Sequence, residues 1–368
     1  MHVALNAWFW NQANTGSGQY IRQLTAALRK VQPDLRLTLV TPPHAPHADN
    51  VPDGVNVVSV GGIKGKLGKV WFEQRGFPQA VKRLKADVAH VPYWGPPLSS
   101  PVPLVVSVLD VIPLVLPEYA AGLANRLYVS LATAGARGAS HILTLSEAAK
   151  ADIVAHIGVP AESVTPTYLA VDERYHPKIG AEHDPQVRAK YGLPDNYILY
   201  MGGFDRRKSV DALMYAYSFV QQAEGDRVPL VLAGREPQWG TSVFPDVKAY
   251  AQELGIAENC MWIGYVDEAD KPALYRMADV FVYPSVYEGF GLPVLEAMAC
   301  GTPTVARQIP VMQELVDDGA YLVSDARKMG GAIIALLIQE PLRKAIVNQG
   351  LGRATQFSWR KTARETFA

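Results

Sequence analysis

Two hydrophobic periods alternate along the 368-residue chain. Short apolar runs occupy residues 2–7, 35–40, 55–60, 88–91, 104–109 and 141–145, and then 197–201, 229–233, 260–263, 279–283 and 304–306. Near-continuous apolar runs of this length suit strands buried on both faces, as in parallel sheets. Between them, around 19–31, 69–84, 123–139 and 147–156, apolar residues recur at three- and four-residue spacing, which predicts helices with one buried face. Strand–helix alternation is the pattern of parallel α/β architecture, whose ligands bind outside the carboxyl ends of strands and at helix N-termini. Both periods lapse over 168–185, which carries Pro177, Gly180 and Pro185 and reads as a linker. The expected organisation is a first domain over 1–172, a linker over 173–190, a second domain over 191–350, and a helical segment, 351–368, that crosses back to the first domain.

Composition narrows the class. Lys+Arg and Asp+Glu both number 35, so the formal net charge is zero, which weighs against nucleic acid as a partner. At 49% apolar and 19% charged, the chain has material for large cores and too little charge for disorder. Its longest apolar run, over 104–116, is interrupted by Asp110 and Pro113 and falls short of the roughly 18 residues of a membrane span. The N-terminus lacks signal-peptide features, and two cysteines, Cys260 and Cys300, make no disulfide framework, so a cytoplasmic location is expected. One segment departs from neutrality. Residues 64–85 hold Lys64, Lys66, Lys69, Arg75, Lys82, Arg83 and Lys85 against Glu73 alone, interleaved with Leu67, Val70, Trp71 and Phe72. That pattern suits peripheral contact with an anionic membrane face or a lipid-diphosphate acceptor; a solvated helix face with an aromatic anchor in the core is the alternative.

Three motifs carry candidate chemistry. Thr15-Gly16-Ser17-Gly18 follows the first strand and opens a helix. Its backbone N–H groups can approach an anion, or it is a tight connection capped by Ser17. Gly202-Gly203-Phe204-Asp205-Arg206-Arg207-Lys208 ends the strand that opens the second half. Guanidinium and ammonium groups at that place suit a diphosphate, with a solvated basic turn as the alternative. The third motif runs from Tyr287 to Gly301 and includes Glu288-Gly289-Phe290-Gly291-Leu292-Pro293, where Pro293 suits a first helical turn. Glu288 lies before that helix and Glu296 about one turn inside it, near enough to reach a ribose diol. The alternative is a cap and a surface ion pair, yet a carboxylate amid Leu292, Val294, Leu295 and Met298 needs a partner.

Together with Gly264-Tyr265-Val266 after a strand and Phe357-Ser358-Trp359 near the end, these motifs resemble a family 4 retaining glycosyltransferase of the GT-B fold. The resemblance spans nearly the whole chain, and the spaced Glu288/Glu296 pair is its most specific part. It implies an α/β fold of two Rossmann-like domains facing each other across a cleft. It also implies that Arg207 and Lys208 neutralise the diphosphate of a nucleotide-sugar donor, with Gly203 in the same donor-binding turn and Arg206 less directly involved. Glu288 would approach hydroxyls of the transferred sugar, helped by the backbone N–H groups of Gly289, Phe290, Gly291 and Leu292, and Glu296 would hold the ribose. Tyr265 and Val266 would touch the nucleobase through main chain, while Gly16 and Gly18 would line the cleft near phosphates and acceptor.

The implied reaction moves a sugar, mannose as first expectation, from a GDP- or UDP-linked donor to a saccharide or lipid-linked saccharide acceptor in polysaccharide or glycan biosynthesis. In the family's retaining route the acceptor attacks on the face of the departing diphosphate, whose oxygen takes the proton, so no side-chain base is assigned. No cofactor beyond the donor is expected, and no metal, since neither an Asp-x-Asp pair nor a His/Cys cluster with ligand spacing occurs. One departure matters: Ser107-Val108-Leu109-Asp110 stands where family members often read Thr-x-His-Asp. Leu109 cannot donate a hydrogen bond, which motivates the alternative of a catalytically weakened nucleotide-sugar-binding protein of the same fold. His90, near the end of another strand, is either a compensating site residue or a structural one.

Overall fold

In the computed structural model, which describes every residue except Lys64 and Lys66, the apolar runs become two wholly parallel sheets. Strands β1 (His2–Asn6), β2 (Arg36–Thr41), β3 (Val55–Ser59), β4 (Val88–Val91), β5 (Leu104–Ser107), β6 (His141–Thr144) and β7 (Val164–Pro166) form the first, in the order β3-β2-β1-β4-β5-β6-β7. Strands β8 (Ile198–Met201), β9 (Leu230–Ala233), β10 (Cys260–Gly264), β11 (Val280–Tyr283), β12 (Thr304–Arg307) and β13 (Tyr321–Val323) form the second, in the order β10-β9-β8-β11-β12-β13. β8, β9 and β11 are buried along their whole length, as helices on both faces require. The sequence period did not reveal β7 and β13. Each has three residues, too few to display a period.

The order of each sheet reverses direction once, between β1 and β4 in the first and between β8 and β11 in the second. Connections leave such a pair of neighbours on opposite faces, so a crevice opens beyond their carboxyl ends. Those are the ends from which the glycine, arginine–lysine and glutamate motifs emerge.

Internal packing divides the chain into Met1–Leu169 with Ser358–Ala368, and Ala170–Phe357. Residues 173–190, expected as a linker, pack into the second unit, and Asp184–Tyr191 is helical. The cause is Arg276, whose guanidinium donates to the carbonyls of Ile179 and Gly180 and pairs with Asp184. The final helical stretch is two helices. Glu340–Ala354 belongs to the second unit, and Trp359–Phe367, capped by Ser358 accepting from the Lys361 N–H, belongs to the first. There Trp359 lies 6.4 Å from the ring of Tyr20, and Thr362 donates to the Tyr168 carbonyl.

Candidate functional site

In the second unit the arginine–lysine turn and the glutamate loop meet. After β8 the chain makes a short 3-10 turn, Arg206–Lys208, and Ser209 then takes a left-handed conformation with φ of 49° before the helix Val210–Glu224 begins. Left-handed backbone at a non-glycine residue carries strain. The Lys208 Nζ donates to Glu288 Oε1 at 2.5 Å and to the Tyr283 hydroxyl at 3.1 Å. Arg207 Nη1 lies 2.8 Å from Glu288 Oε2, and its Nε lies 3.2 Å from Asp205 Oδ1. The Val286 N–H donates to the Arg207 carbonyl, which ties the two loops together through backbone as well.

Lys208 is 8% exposed, so its charge has little water to stabilise it. Burial pushes the ammonium's pKa down, and Glu288 opposes that. For Glu288, burial alone would raise the pKa, but Lys208 and Arg207 overcome it and hold the carboxyl at about 2. An acceptor-only carboxylate therefore sits between two donors across the pH range of cells. The arrangement is a dense, water-poor cationic seat at the β8/β11 reversal, with its counter-charge supplied by the protein itself.

Glu296 lies in the helix Leu292–Ala299 and is 6% exposed, so the surface-pair alternative does not hold. Its partner is Tyr275, whose hydroxyl donates to Oε2 at 2.8 Å. Gly291 immediately precedes this helix, so Leu292 opens it, and Phe290 packs edge-on against Phe357 at 6.1 Å. Gly203 contributes its carbonyl to the Tyr200 hydroxyl. Beyond β10, Tyr265 is 41% exposed beneath the Arg235 guanidinium, 5.2 Å from the ring centre, while Val266 is buried.

Sequence reasoning missed Tyr283, Tyr275 and Arg235. Tyr283 and Tyr275 read as core aromatics, and only their hydroxyls, each facing a charged group, distinguish them. Gly234, also unremarked, follows β9 and packs so closely that an added Cβ would lie 2.0 Å from the Gly202 carbonyl oxygen. Backbone cannot yield that distance cheaply. Gly234→Ala is expected to destabilise the second unit by about 3 kcal/mol and to displace the Gly202–Lys208 turn, measured as a fall in denaturation midpoint together with lost nucleotide binding.

In the first unit the helix Gly16–Val31 is capped by Thr15, not Ser17: the Thr15 Oγ1 accepts from the Gly18 N–H at 3.1 Å. A Cβ on Gly18 would lie 2.1 Å from the Gln12 carbonyl oxygen, so close packing of its own loop accounts for that glycine, whereas Gly16 has open space around it. Leu109 and Asp110 follow β5 and are partly buried, and the Asp110 Oδ1 accepts from the Ile112 N–H.

His90 is 4% exposed and bonded through Nε2 to the Ser107 hydroxyl at 2.8 Å, and burial lowers its pKa to about 4. It is a neutral core histidine within the sheet rather than a strand-end ligand. A base with a depressed pKa contributes stability that is complete above its unfolded value near 6.5 and is lost as pH falls toward 4. The stability difference between wild type and His90→Gln is expected to shift by about 3 kcal/mol against the wild type as pH falls through that window; urea midpoints of the two proteins across pH 4–7 check this.

The basic segment is less cationic than its sequence. Lys64 and Lys66 lie outside the described residues. Lys69 sits 3.7 Å from buried Glu73 and over the rings of Phe9, Tyr93 and Tyr128 at 5.2, 5.3 and 4.7 Å. Burial pushes Glu73 up to about 7, against the pull of Lys69 and the Tyr128 hydroxyl. Arg75, Lys82, Arg83 and Lys85 are exposed.

Family models match both halves of the chain: Glycosyltransferase Family 4 over residues 14–175 and Glycosyl transferases group 1 over residues 184–353. The chain belongs to the family 4 glycosyltransferases. It is 36% identical over 229 residues to the O-antigen chain mannosyltransferase B of Escherichia coli, an alignment covering 61% of this chain and 58% of that relative, so the chain spans little more than half of the relative's length. The sucrose-phosphate synthase of Thermosynechococcus elongatus is similar in structure, with a TM-score of 0.76 at 22% identity over 100% of this chain and 97% of that one. Anabaena Alr3699/HepE in complex with UDP and glucose gives 0.70 at 18% identity, over 100% and 98%. The fold of this family 4 member is the α/β GT-B type that the motifs implied.

Proposed function

We propose that this family 4 member transfers a sugar, with retention and without a metal, from a nucleoside diphosphate sugar to a saccharide or lipid-linked saccharide acceptor in glycan assembly. The observation that carries the reading is the buried Arg207–Lys208–Glu288 constellation at the β8/β11 reversal. Departure of a nucleoside diphosphate places negative charge on its β-phosphate. Preorganised cations in a water-poor seat stabilise that charge without reorganising at the moment of reaction. Arg207 offers a planar fork to phosphate oxygens, and Lys208 a compact charge.

Glu288 now occupies both cations. A donor diphosphate displaces part of that pairing, which turns the carboxylate toward hydroxyls of the transferred sugar. In the retaining route the departing phosphate oxygen takes the acceptor proton, so none of the residues named here acts as base. Mannose is the sugar of first choice, supported by the name of the E. coli relative, and a UDP complex of a fold neighbour supports a nucleotide donor. Peripheral contact with an anionic membrane face belongs to the same reading. Exposed Arg75, Lys82, Arg83, Lys85 and Leu67 favour it, while no described helix is long and apolar enough to cross a membrane.

The weakened-catalyst alternative keeps one observation in its favour, the hydrocarbon side chain of Leu109. Release of nucleotide from a panel of GDP- and UDP-sugars, with lipid-linked and free saccharide acceptors, separates the two. Turnover of one donor, with GDP-mannose tried first, is the expected result. Nucleotide binding with no turnover on any donor would make the chain a binding protein.

A further inference from the structure

Two phenols in the second unit hold the Glu296 carboxylate. Tyr275 donates to Oε2 at 2.8 Å, and the Tyr175 hydroxyl lies close enough to the carboxylate to favour its ionised form. Tyr275 is fully buried and Tyr175 is 6% exposed, with ring centres 6.1 Å apart. Their placement is specified from both sides. Tyr275 lies on the helix Lys271–Met277, where Thr302 Oγ1 donates to its carbonyl at 2.7 Å, and its neighbour Arg276 fastens the segment from Ile179 to Asp184 that follows Tyr175.

Burial raises the Glu296 pKa above the usual carboxylate value, and Lys271 and the two phenols offset that in part. A carboxylate that must accept from two vicinal hydroxyls needs a fixed rotamer and an ionised form, and a buried phenol donor fixes the first and favours the second.

We propose that Tyr275 and Tyr175 are positioning residues that fix the Glu296 carboxylate as acceptor for the 2′- and 3′-hydroxyls of a nucleoside diphosphate's ribose. This rests on the donor-site reading above. Phenylalanine keeps the ring and the packing while removing only the hydroxyl, so Tyr275→Phe, Tyr175→Phe and the double variant isolate the effect. Binding of GDP and UDP, and of their 2′,3′-dideoxy counterparts, is measured by calorimetry beside Glu296→Ala.

The expected result is that Tyr275→Phe weakens ribonucleotide binding about tenfold, the scale of one charge-assisted hydrogen bond, and leaves dideoxynucleotide binding within about twofold of wild type. The double variant approaches Glu296→Ala, and in transfer assays KM for the donor rises more than kcat falls. Equal weakening of ribo- and dideoxynucleotides would reduce the tyrosines to scaffold and overturn the proposal. So would wild-type affinity in the tyrosine variants beside a loss in Glu296→Ala, with the donor-site reading left standing. Wild-type ribonucleotide affinity in Glu296→Ala would remove the ribose role itself, and this proposal with it.

Discussion

Lys208→Ala is expected to lower kcat/KM for sugar transfer by about 10²–10³, the scale for removing one preorganised donor from a developing oxyanion. The effect is large because Lys208 is held, not mobile: it is 8% exposed, and its Nζ is fixed by Glu288 at 2.5 Å and Tyr283 at 3.1 Å. Removing it leaves Glu288 paired with Arg207 at 2.8 Å, so the buried carboxylate keeps a counter-charge. Folding should survive with a loss of about 1–3 kcal/mol. Steady-state kinetics beside a thermal melt checks both parts. A folded variant that retains wild-type kcat/KM would remove Lys208 from the chemistry.

Glu288→Gln is expected to move binding and transfer in opposite directions. Glu288 is the anion that occupies both cations in the free protein, and its pKa near 2 keeps it charged. Glutamine removes that competitor while keeping the shape, so a free nucleoside diphosphate should bind about tenfold tighter, as expected when a repelling charge of about 1.4 kcal/mol is relieved. Transfer should fall by about 10²–10³, because the sugar hydroxyls lose a charged acceptor. Calorimetry with GDP and UDP, set against initial rates, tests the split. If affinity and rate fall together, Glu288 serves only to hold Arg207 and Lys208 in place.

Most of the strands and the positions of the motifs were legible because parallel strands buried on both faces write themselves as apolar runs, and because βα loops carry the ligand chemistry. Pairing across the sheet was not legible. Nothing in the residues 202–208 or 287–301 alone says that β8 and β11 are neighbours, and that adjacency brings Lys208 to Glu288 over 80 residues of chain. For His90 the sequence leaves site residue and structural residue both open, and the parallel register with β5, which places Ser107 within reach, decides for core. The basic count over 64–85 likewise ignored that Lys69 and Glu73, one helical turn apart, face inward together. The linker was misread because its fastening residue, Arg276, lies some 90 residues later in the chain, paired with Asp184.

The central claim is that Arg207 and Lys208 form the seat of a donor diphosphate. It is tested most directly by titrating GDP and UDP into the wild type and into the Arg207→Ala/Lys208→Ala double variant by calorimetry. The account predicts that at least one nucleotide binds the wild type and that its affinity falls at least about 100-fold in the folded double variant. Equal affinity in the two proteins would contradict it.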